Sequence, residues 1–260
     1  MGKLIAFVMV VLAVLVGIVY FLSRSEPEIQ PQVQETPNAP QPTARLVERR
    51  EIPLPAPEVL ENYALSGELP LLNDSDSALF NHLRLLVTPI RLQLLKDDQL
   101  IRKFVLQVDN AANGELIYQH SPLVSPEGGI AVIETDENAL EIDPESYARY
   151  DRYADLAGAV DVSLLVAYYQ FYEPLLDEAY MELGYSEGDF RFRLIGAIDQ
   201  VLSVPVVEGS VLLEQPEVNF IFSDPALEGL NTLQKQLLRM GPENTQKIQL
   251  ALQQFKARIQ

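Results

Sequence analysis

The sequence predicts an α+β fold, helix-dominated: a single domain with two small β-hairpins behind an N-terminal transmembrane helix. Three observations predict it. Nineteen consecutive uncharged residues, Leu4–Leu22, lie near the start. Between Tyr153 and Tyr180 apolar residues recur at helical spacing over a longer stretch than elsewhere in the folded part. Two pairs of short apolar runs, one around Asp136-Glu137-Asn138 and one between Glu214 and Val218, are joined by turn-forming residues.

As a helix, Leu4–Leu22 reaches roughly 28 Å, about the thickness of bilayer hydrocarbon. The run exceeds the about 7–15 apolar residues of a signal peptide, and no A-x-A-like cleavage site follows it. Residues 1–25 therefore read as an anchor contacting the lipid bilayer. Lys3 precedes the span, while Arg24, Glu26 and Glu28 follow it; this predicts a cytoplasmic N-terminus. Residues 26–57 hold eight of the 18 prolines, spaced by Gln, Glu, Thr and Asn, and read as a flexible linker. Its Arg45, Arg49 and Arg50 have two possible destinations, lipid headgroups or the acidic domain. Residues 58–260 form the globular domain.

Within it, Asn73–Ser77 reads as a helix N-cap before ALFNHLRLLV. It is not a calcium loop, because Leu79 and Leu85 stand where an EF-hand needs Gly and Glu. Asp97-Asp98 caps a second helix, whose apolar face is Leu100, Phe104, Val105 and Val108, and Gly114 stops it. A loop over 117–129 leads to the first hairpin, Ile130–Ile133 with Ala139–Ile142. The long helical pattern follows, with stripes Tyr153, Leu156, Val160, Leu164, Tyr168 and Leu165, Tyr169, Tyr172, Leu176. Pro174 inside it predicts a kink or split. Phe190–Val201 is a further helix, and Val211–Glu214 with Val218–Phe222 the second hairpin. Asp224-Pro225 opens a helical turn. Two C-terminal helices are broken at Met240-Gly241-Pro242, where Gly stops one and Pro begins the next.

The chain carries a formal charge of −18. From Gln107 to Asp189 there are 18 acidic residues against Arg149 and Arg152, whereas 230–260 has five basic residues against Glu243. A field of that sign disfavours nucleic acid and favours basic partners or mutual docking of the two halves. Catalytic signals are sparse. There is no cysteine, and His82 and His120 are the two histidines. H-E-x-x-H, G-x-S-x-G and glycine-rich phosphate loops are absent, so no catalytic residue, metal or cofactor is expected. Eight of 11 tyrosines fall between Tyr147 and Tyr185, as core residues with polar tips or as a binding cleft.

The segments LIRKFVLQVDN, YARYD, ELGY, FSDP and QLLRMGPEN resemble a family of bacterial membrane-anchored proteins catalogued as domain of unknown function 3014. The resemblance implies an inner-membrane envelope protein with a periplasmic C-terminal domain, and supplies no activity. The polar residues of these motifs, with the motif tyrosines, are the candidate site: Asp109, Asn110, Tyr147, Arg149, Tyr150, Asp151, Arg239, Glu243 and Asn244. Structural pairing is the simplest expectation, with Arg239 reaching Asp109 or Asp151 and Glu243 placed at a helix start. The expected function is binding of another envelope protein as scaffold, adaptor or assembly factor. The alternative is a tethered module for cell-wall glycan or peptide.

Overall fold

The computed structural model describes residues 45–47 and 68–260, apart from 87, 118–119, 136–138, 159–160 and 186–189. The expected span Leu4–Leu22 and most of the expected linker lie outside the described residues. Among the described residues no helix is long and apolar enough to cross a membrane. The fold is helix-dominated α+β with a small antiparallel sheet.

Helix α1 (Ser75–Leu86) and the short α2 (Pro89–Leu92) precede α3 (Leu100–Ala112). The first N–H groups of α3 are not capped by Asp97-Asp98, as expected from sequence. Asp76 of α1 accepts from Gln99 N (2.6 Å) and Leu100 N (2.9 Å), so a carboxylate distant in sequence supplies the cap. Asp98 pairs with Lys103 instead.

After strands β2 (Val132–Glu134) and β3 (Leu140–Ile142) come α4 (Glu145–Ala148), α5 (Asp151–Gly158) and α6 (Val162–Met181). The expected single long helix is thus two. Asp161 ends the continuity by capping α6, accepting from Ser163 N (2.7 Å) and Leu164 N. Pro174 does not split α6, which runs through it. Helix α7 (Phe190–Leu202) is capped from α6, since Asp177 accepts from Phe190 N at 3.1 Å.

Strands β4 (Val206–Glu208), β5 (Leu212–Glu214) and β6 (Ile221–Phe222) lead to α8 (Pro225–Glu228), α9 (Thr232–Arg239) and α10 (Pro242–Ile259). Both expected hairpins are present, β2–β3 and β5–β6. They are not separate: β3 pairs antiparallel with β5, making one sheet of order β2-β3-β5-β6. Strand β4 was not foreseen. It pairs antiparallel with β1 (Arg45–Val47), which lies inside the stretch expected as linker. The backbone of Arg45–Val47 is thus laid on the domain, while Arg49 and Arg50 of the basic cluster lie outside the described residues.

The core is a helical layer in which α3 packs on α7 and α6, and α10 packs on α5, α6 and α7. Phe104, Val105 and Val108 of α3, Leu194 and Ile198 of α7, and Ile248, Leu252 and Phe255 of α10 are fully buried. Ring edges meet ring faces at Phe104–Phe190 (5.6 Å) and Tyr169–Phe255 (5.8 Å). Tyrosines fill the remaining volume: Tyr150, Tyr153, Tyr168, Tyr169, Tyr172 and Tyr180 are all buried.

Burial has an electrostatic consequence. It pushes the Tyr147 phenol up to about 12, helped by Glu141 and Asp143. Burial also raises Tyr168, Tyr169 and Tyr172 well above the ordinary tyrosine value. Because the folded pKa lies above the unfolded one, this stability is fully present below pH ~10 and is lost as pH rises from there through the raised values. Alkaline titration followed by tyrosinate absorbance and circular dichroism should show most phenols ionising together with unfolding. Complete ionisation with the fold intact would contradict this packing.

Candidate functional site

The sequence candidates gather at two places. The first is the break between α9 and α10. Gly241 adopts φ +84° and ψ 164°, a region open to glycine almost alone. A Cβ added there would come within 2.6 Å of the Tyr147 ring. The break therefore presses backbone against the tyrosine of YARYD, with Pro242 starting α10 immediately afterward.

Asn244 locks the contact. It is 2% exposed, and its Nδ2 lies within donor reach of Tyr147 O (3.1 Å), Asp151 Oδ1 (3.0 Å) and Met240 O (3.0 Å). Two hydrogens facing three acceptors tie α4, α5 and the end of α9 to one side chain. Thr245 adds a bond across the break, donating to Leu237 O at 2.8 Å. Glu243, by contrast, is exposed in the first turn of α10, where a carboxylate suits the helix dipole.

Tyr150 and Arg149 extend this joint. The buried Tyr150 hydroxyl accepts from Arg149 Nη2 (3.0 Å) and from Gln236 Nε2 of α9 (3.1 Å). Arg149 Nη1 donates to Gly128 O at 3.1 Å. One turn later the pattern repeats: Arg152 donates to the Tyr153 hydroxyl, which donates to Val124 O at 2.8 Å. The two basic residues of the acidic block thus hold buried tyrosines, and through them the loop around 124–128.

Arg239 reaches the sheet from the end of α9. It donates to Phe220 O (3.1 Å) and lies over the Phe222 ring at 5.4 Å, tying α9 to the sheet. Arg239 ends α9 beside β6, whereas Asp109 sits on α3.

The second place is that Asp109. Arg193 of α7 donates to its Oδ1 (2.5 Å) and to its backbone oxygen (2.8 Å). The Tyr185 hydroxyl donates to the same carboxylate at 3.0 Å. Tyr185 stacks on Tyr180 with centroids 4.4 Å apart. Asn110 turns back along its own helix and donates to Leu106 O. Sequence reading missed Arg193, Tyr185 and Gln236 as members of these networks, and read Gly241 only as a helix stop. A glycine preceding Pro242 was the one local signal.

The charge halves do dock. Lys247–Asp155 joins the basic 230–260 part to the acidic block, and Arg191–Glu173 and Arg193–Asp109 join α7 to it. Among the described residues no group of three or more His, Asp or Glu is placed to hold a metal ion. His82 is bound into the tyrosines, its Nδ1 lying 2.7 Å from the Tyr172 hydroxyl, and burial lowers its pKa.

These assignments separate neighbours in sequence. Asn244→Ala should lower stability by about 2–3 kcal/mol, because it orphans buried acceptors. Glu243→Gln, one residue earlier, should change it by less than about 1 kcal/mol. Gly241→Ala should cost about 2–4 kcal/mol through strain and the Tyr147 clash. Urea unfolding checks all three; equal midpoints for the Asn244 and Glu243 variants would refute the joint.

Comparison with curated proteins and with solved structures finds no match. The family profile described as protein of unknown function (DUF3014) matches residues 100–256, from the start of α3 to near the end of α10. That span includes the joint, the Asp109 network and more than half of the chain, so the chain belongs to the family of proteins of unknown function DUF3014.

Proposed function

We propose that the folded domain binds another protein, as a scaffold, adaptor or assembly factor, and that Leu4–Leu22 tethers it to the inner membrane with the domain on the periplasmic side. Tethering raises local concentration, so the docking surface can be modest.

The observation that carries the reading is Phe192. It is 75% exposed on α7, between two pinned neighbours: Arg191 is bonded to Glu173 and Arg193 to Asp109. Met181, Leu183 and Tyr185, from the same connection between α6 and α7, are also exposed. Burying a side chain of this kind contributes about 1.5–3 kcal/mol. Holding it rigidly in water forgoes that stabilisation until a partner covers it, which is the character of an interface anchor. The surrounding acidic block favours a partner with basic residues at its rim.

The glycan reading has less support. Of the eight tyrosines from Tyr147 to Tyr185, Tyr185 alone is exposed, and it is stacked and hydrogen-bonded within the domain. The flat faces such a cleft needs are spent in the core.

A photo-crosslinking residue in place of Phe192, in the full chain in living cells, tests the proposal. A discrete protein adduct is expected from this position and not from exposed Val218. Phe192→Ser should abolish association with that protein while leaving the unfolding midpoint within about 0.5 kcal/mol. Adducts equal at both positions would remove Phe192 as the anchor.

A further inference from the structure

We infer that the edge of β4 is an acceptor site for an extended segment, and that the chain's own Arg45–Val47 occupies it as an exchangeable latch. Three observations carry this. The first is that β4 is a template fixed independently of β1. Gln249 of α10, itself buried, donates to Val201 O (3.0 Å) and Val204 O (2.9 Å), which pins the chain just before the strand. Val206 and Val207 are buried, and α10 packs against the strand. Pro205 precedes it and Gly209, at φ +89°, turns the chain away after it. A short stretch of paired backbone remains at a defined place.

The second is the match in register. Arg45 stands opposite Glu208, Leu46 opposite Val207 and Val47 opposite Val206. By backbone register a basic–apolar–apolar segment stands opposite an acidic–apolar–apolar one in reverse order, residue types that antiparallel ladders favour as opposed pairs. The third is the weakness of the closure. Among the described residues the β1–β4 ribbon has no third strand, and a two-stranded ribbon is marginal on its own. Arg45–Val47 is also joined covalently to the domain, which sets its effective concentration at the edge on the order of mM. A segment of the same pattern therefore competes for the edge by adding a strand through main-chain hydrogen bonds.

Native-state hydrogen exchange on the full chain tests this, with Leu46→Pro removing a strand donor from the latch. The β4 amides that face β1 should exchange at least about tenfold faster in the variant than in the natural chain. A synthetic peptide of residues 43–50, added at mM concentration, should restore their protection in the variant and leave the natural chain unchanged. Because the chain has no cysteine, the double substitution L46C/V207C provides a second reading, and oxidation should give an intramolecular disulfide. Unchanged exchange in Leu46→Pro would overturn the inference, as would failure of the peptide to protect or of the cysteine pair to close. None of these readouts depends on Phe192 or on a protein partner.

Discussion

The amide of Asn244 is the interaction on which the arrangement of this domain depends. Helices α9 and α10 are separated by a glycine whose backbone conformation excludes other residues, and such a break is a hinge unless something fixes its angle. Asn244 fixes it, reaching Tyr147, Asp151 and Met240 from one buried position. Tyr150 meets α9 through Gln236 beside it, and Arg149 carries the order out to the loop at Gly128. The two most distinctive sequence motifs, YARYD and RMGPEN, are therefore two halves of one contact.

That conclusion moves the search for function away from the motifs. Apart from the exposed Glu243, their polar side chains bond within the domain, and Tyr150 is core. What remains at the surface is a strongly acidic block, an anchored but uncovered phenylalanine on α7, and a strand edge closed by a short segment of the same chain. The proposed binding would draw on these features. Ion pairs from α7 and from Lys247 offset some of the acidic block's local charge without removing its sign.

Where the signal is local backbone chemistry, the sequence is readable. Gly241-Pro242 and Asp224-Pro225 mark helix boundaries that the structure keeps, and both hairpins lie where their turns predicted. Long-range contacts are harder. The apolar stripe from Leu156 to Leu164 gives no warning of the break at Asp161, because a stripe records which side is buried and not whether the helix is continuous. Asp76 and Asp177 cap helices that begin 24 and 13 residues later, so no local capping pattern exists to be seen. Strand β4, three residues between a proline and a glycine, is too short to show alternation. Of the candidate residues, Tyr147 and Asp151 stand in one motif and Asn244 in another, and no local signal joins the two or sets Arg239 against Phe220 and Phe222.

A double-mutant cycle between Asp151 and Asn244 tests the central claim most directly. If the two motifs are halves of one joint, Asp151→Ala and Asn244→Ala should be strongly non-additive, with a coupling of about 1 kcal/mol or more in urea unfolding. Additivity within about 0.3 kcal/mol would mean that the two side chains act independently, and the joint as described here would not exist.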